Sequence, residues 1–98
     1  MEKQNNNELT VIDLKNILIN LQTYDVIVTK HFQKRLIERD LDISSHLMHF
    51  LTQKNVIIKE EDDYNVFSIS FYCEKISKKV TIICRINESK QLILITIY

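Results

Sequence analysis

The 98-residue sequence contains no glycine and no proline. Without glycine there is no Gly-rich phosphate loop, and the GxSxG nucleophile elbow of serine hydrolases is excluded as well. Without proline, the ends of helices and strands have to be read from polar caps and turn residues. The formal net charge is zero, which removes the broadly basic composition that marks general nucleic-acid binders. No apolar run reaches the ~18 residues of a membrane-spanning helix. The polar start MEKQNNNE lacks the apolar stretch of a signal peptide. Together these features predict a cytoplasmic protein without membrane association. The only two cysteines, Cys73 and Cys84, show no CxxC spacing and sit among apolar residues. They read as buried free thiols in a reducing compartment.

What the chain does have is unevenly placed. Arginine occurs only at positions 35, 39 and 85. Two of these fall in the segment KHFQKRLIERD, residues 30 to 40, together with Lys30, His31 and Lys34. Guanidinium groups suit bidentate contact with carboxylate or phosphate. At about 100° per residue, His31, Arg35 and Arg39 form one stripe, and Phe32 and Leu36 form the apolar stripe beside it. Spacing alone admits two readings. The stripe can be a solvated helix edge in which Arg35 pairs with Glu38. Spacing by itself leaves the stripe closer to that edge than to the second reading, a functional surface with the imidazole for acid–base chemistry and the guanidiniums for an anion.

The length fits one small domain. Residues 1–8 read as a flexible terminus and 9–98 as the domain. Thr10 with Asp13 resembles a capping box, and Val11, Leu14, Leu18 and Leu21 recur at helical spacing, which predicts a helix over about 10–22. Residues 24–28 read as an extended link. Thr29 caps a second helix over about 30–39, which ends near Asp40. A third, capped by Asp42 or Ser44, covers about 44–54. From residue 56 the apolar period changes to two, giving strands over about 56–59, 64–73, 79–86 and 91–98. Asn87 to Lys90 form a hairpin loop. The expected fold is α+β, about three helices followed by a four-stranded antiparallel sheet, with the helices on one sheet face. The other face is expected to carry Tyr64, Ser68, Ser70, Tyr72, Arg85, Thr96 and Tyr98. In the last strand the alternation places Ile93, Ile95 and Ile97 on one side and Leu92, Leu94, Thr96 and Tyr98 on the other.

His46 and His49 stand three apart, but no third ligand has a recognisable spacing, so neither a metal nor a cofactor is expected. The acidic run from Glu60 to Asp63 reads as a solvated turn.

The phrase Val28-Thr-Lys-His31, then Arg35, then Glu38-Arg39, with the ending Ile95-Thr96-Ile97-Tyr98, resembles a prokaryotic domain family of unknown function. That family is similar to RelE-type toxins and is grouped with the barnase–EndoU–colicin–RelE ribonuclease fold. The resemblance covers residues 26–98. It departs from the family pattern at Asp40, where glycine is usual, and in the additional helix at 10–22. It implies a metal-independent endoribonuclease in which the substrate 2′-OH attacks the adjacent phosphate. His31, Arg35, Arg39, Arg85 and Tyr98 would then be the catalytic group. Lys30, Lys34, Thr96 and Tyr72 would bind the substrate. The implied partners are RNA, on or off the ribosome, and an antitoxin protein. The alternative is a non-catalytic protein- or RNA-binding module of the same fold.

Overall fold

A computed structural model describes residues 9–22, 25–39, 47–52, 55–74 and 76–98. The first helix, α1, is Val11–Ile19. Thr10 is its N-cap and accepts from the Asp13 N–H at 3.3 Å, while the Asp13 carboxylate accepts from the Thr10 N–H at 2.8 Å. This reciprocal box satisfies donors that a helix start leaves open. Leu14 and Leu18 are the buried side of α1. Strand β1, Val26–Val28, leads directly into α2, Lys30–Glu38, which Thr29 caps. A six-residue segment, α3, spans Leu47–Thr52 and buries Leu51. The expectations for Asp40, Asp42, Ser44, His46 and residues 1–8 lie outside the described residues.

Four further strands follow: β2 Ile57–Glu60, β3 Val66–Cys73, β4 Lys78–Ile86 and β5 Leu92–Ile97. The sheet order is β1-β5-β4-β3-β2. Strands β2 to β5 form an antiparallel meander, and β1 joins β5 in parallel, Val26 beside Leu92 and Val28 beside Leu94. The sheet is therefore five-stranded and mixed, not four-stranded and antiparallel. The correction comes from the three residues read as a link, whose ladder partner lies more than sixty positions away and leaves no local period.

A second correction concerns β5. Ile83 faces Thr96, but Cys84 faces Leu94, so Ile95 is an extra residue, a β-bulge. The bulge resets the alternation. Leu92 and Leu94 point into the core with Ile97, while Ile93 and Thr96 pair with Arg85 and Ile83 on the opposite face. The core side also holds Phe67, Ile69, Phe71, Val80, Ile82 and Cys84, packed against Leu14, Leu18, Phe32 and Leu51 from the helices. The helices thus cover one face of the sheet.

Turn chemistry shows how the chain manages without glycine. Asn65, Ser77 and Lys90 take positive φ of 55°, 53° and 62°. Asn65 suits that region through its short polar side chain, and its Oδ1 accepts from the Leu9 N–H at 2.8 Å.

Candidate functional site

The helical part of the site starts at Thr29. Its hydroxyl accepts from the Phe32 N–H at 3.1 Å and donates to the Leu94 carbonyl at 2.8 Å, with the Ile95 carbonyl at 3.3 Å. The Thr29 N–H also donates to the Leu94 carbonyl, at 3.3 Å. One residue therefore caps α2 and ties it to the strand carbonyls at the bulge. Burial of Phe32 fixes the rotation of the helix, which puts Lys30 and Lys34 on the opposite side and His31 on the flank, all three exposed to solvent.

Arg35 is half-buried on the flank of α2. Its guanidinium donates to Glu38 at 3.4 Å, and Lys34 approaches the same carboxylate at 3.9 Å. Such exposed helical pairs contribute only a few tenths of a kcal/mol. The Arg35 Nε–H is buried and has no acceptor, the only buried side-chain polar atom so placed among the described residues. Arg39 is the C-cap of α2 and is exposed. It stands eight residues from His31, ~12 Å along the helix axis.

The second group comes from the helix-free face of the sheet. Cross-strand pairing arranges that face in rows. Ile57, Ser70, Thr81 and Tyr98 make one, the last pair exchanging N–H···O bonds of 2.7 and 2.9 Å. Lys59, Ser68, Ile83 and Thr96 make the next. Val66, Arg85, Ile93 and Ile27 make a third, and Tyr72 stands beside Lys79 beyond the first. Arg85, Thr96, Tyr98 and Tyr72 therefore share one face, as the strand alternation predicts for them. Tyr64 instead lies in the turn before β3. Tyr72 and Tyr98 are 60% and 50% exposed, so both rings are available for contact.

The two groups belong to different layers. Among the described residues no hydrogen bond or ion pair joins His31, Arg35 or Arg39 to Arg85, Thr96 or Tyr98. The two layers are joined at Thr29. Thr29 is held at Leu94 and Ile95, His31 follows it by two residues, and Thr96 follows Ile95 directly. His31 is thus at the near end of the stripe and Arg39 at the far end.

Sequence reasoning did not select Lys59 and Lys79, which share the face with Arg85. The period-two pattern running back from Arg85 through Ile83 and Thr81 reaches Lys79, and that signal was present. Lys59 has none, because its side is set by pairing with Ser68.

Among the described residues no group of His, Cys, Asp or Glu is arranged to hold a metal ion, and no helix is long and apolar enough to cross a membrane. Cys73 and Cys84 are free and buried, and burial pushes the Cys84 thiol up to about 12. An apolar hollow between α1, α3 and β2 has Lys15 as the only charged residue among the described residues that line it. No protein-family model, curated protein or solved structure matches the chain.

Proposed function

We propose that the chain acts on RNA as a RelE-like, metal-independent endoribonuclease, with its reaction centre at the rim where the start of α2 meets the end of β5. The observation that carries this reading is the double engagement of Thr29, which holds the first turn of α2 against the strand that bears Thr96 and Tyr98. In the reaction His31 accepts the proton of the substrate 2′-OH. The 2′ oxygen bonds to the adjacent phosphorus, and the bond from phosphorus to the 5′ oxygen breaks. The Tyr98 phenol donates its proton to that leaving oxygen. The products are a 2′,3′-cyclic phosphate and a 5′-hydroxyl. Arg85 and Thr96 hold the phosphate oxygens as charge develops. Lys30, Lys34 and Arg39 attract the flanking backbone. Arg35 positions the stripe through Glu38, and its orphaned Nε–H gains an acceptor when an anion binds.

The second reading is a non-catalytic binding module on the same surface. The observation that favours it is the separation of His31, Arg35 and Arg39 from Arg85 and Tyr98 into two layers, with no hydrogen bond or ion pair between them among the described residues.

The two readings separate when purified protein is incubated with mixed RNA in EDTA beside His31→Ala. The enzyme reading expects fragments ending in cyclic phosphate from the parent protein and at least a hundredfold slower cleavage from the variant. Equal cleavage by both, or intact RNA with both, contradicts it.

A further inference from the structure

The helix-free face carries more than the candidate catalytic residues. Lys59, Lys79 and Arg85 are all exposed on it, and its described strand positions hold no carboxylate. None of the three cations forms an ion pair among the described residues. The described acidic residues of this half of the molecule lie off that face: Glu60 pairs with Phe67 on the other side of β2, and Glu61 to Asp63, Glu74 and Glu88 lie outside the strands. A chain with zero net charge therefore presents one locally cationic sheet face.

The floor between these cations combines hydroxyl residues with Ile83, which stands between Thr81 and Arg85 on β4. Ser70 and Thr81 are hydrogen-bonded to each other at 2.9 Å, and Ser68 and Thr96 lie in the neighbouring row. Long side chains surround this floor: Lys59, Lys79, Arg85, Tyr72 and Tyr98. Strand geometry separates the Cα atoms of Tyr72 and Tyr98 by about 12 Å, and those of Lys79 and Arg85 by about 20 Å. That length accepts on the order of four nucleotides, the lower end of what small sheet domains hold.

We infer that this face is a track for single-stranded RNA, with Lys59, Lys79 and Arg85 on the phosphates and Tyr72 and Tyr98 stacking on bases. The inference rests on the proposed action on RNA and names the form of its substrate. A single strand is selected because a duplex hides the base faces that the tyrosines need. RNA is selected over DNA because the hydroxyls of Ser70, Thr81 and Thr96 retain lone pairs and protons for a 2′-OH. An acidic protein segment would use the cations but leave the tyrosines and the hydroxyl floor without a role.

The test is fluorescence anisotropy with a labelled single-stranded decamer RNA, the same sequence as DNA, and the RNA duplex. Binding of the single strand is expected in the micromolar range, with a log–log salt slope of about −2 for three phosphate contacts. The double variant Lys59→Ala/Lys79→Ala should lower that slope to about −0.7. Tyr72→Ala should weaken binding about tenfold, while Tyr72→Phe retains it, because the ring rather than the hydroxyl stacks. Lys15→Ala, on α1, serves as the control expected to bind like the parent. No binding of single-stranded RNA, equal binding of DNA or duplex, or binding indifferent to the loss of both lysines overturns the inference. Binding lost in the double variant without any cleavage by the parent protein supports the track and contradicts the enzyme reading. Cleavage with an unchanged KM in the double variant does the reverse.

Discussion

Thr29 and Leu94 are joined twice, by the Thr29 hydroxyl at 2.8 Å and by its N–H at 3.3 Å, both donating to the Leu94 carbonyl. The same hydroxyl accepts from the Phe32 N–H, so one oxygen serves both the start of α2 and the bulged end of β5, beside the backbone bond. Thr29→Ala removes a helix cap and a strand contact together. It should cost about 1–2 kcal/mol, read as a lower urea midpoint. Thr29→Ser keeps the oxygen and should stay within about 0.5 kcal/mol of the parent.

Phe32 and Ile37 stand five residues apart on α2, yet one is fully buried and the other is 81% exposed. Phe32→Ala should cost about 3–5 kcal/mol, much of the ~5–15 kcal/mol that holds a small domain folded. Ile37→Ala should fall within about 0.5 kcal/mol of the parent. Thermal unfolding of both variants checks the contrast.

That contrast marks how far the sequence was readable. The helical period already separated Phe32 from the charged stripe, and the Thr10–Asp13 box was visible as a pattern. The change to period two located the meander. Two features escaped for physical reasons. Strand β1 is three residues long and owes its existence to a distant parallel partner. The bulge at Ile95 carries no propensity signal, so the alternation through β5 predicted Leu92 and Leu94 outward and Ile93 inward, the reverse of what is found. Thr96 and Tyr98, beyond the bulge, do fall on the face with Arg85. The separation of the site into two layers was legible, because the helices were expected on one sheet face and Arg85, Thr96 and Tyr98 on the other; the tie between Thr29 and Leu94 was not, because periodicity assigns faces to single elements and not contacts between them.

Cys84 is held protonated by burial, with its thiol raised from 9.0 to about 12. The folded state keeps its proton where the unfolded state has released it. Stability from this group is therefore full below pH 9 and declines as pH rises from about 9 toward 12. Urea midpoints across that range should fall with pH, and Cys84→Ser should flatten the decline. A thiol reagent at pH 8 should label Cys84 at the rate of unfolding.

Asp13 behaves in the opposite sense. The Thr10 backbone N–H, and then its hydroxyl, hold the carboxylate below its usual range. Its contribution is present above the unfolded value and is lost as pH falls through the lowered folded one. Acid titration of helical circular dichroism should show this loss, and Asp13→Asn should remove that component of the pH dependence.

The central claim is that RNA meets the helix-free face and its rim at Thr29. Isoleucine δ1-methyl NMR reads it directly, because isoleucines mark both layers. Ile57, Ile83 and Ile93 lie on the helix-free face, Ile69 and Ile82 in the core, and Ile12 and Ile37 on the helices. Titration with single-stranded RNA should shift Ile57, Ile83 and Ile93 and leave Ile12, on α1, in place. Shifts confined to Ile12, or no shift at saturating RNA, would contradict the account.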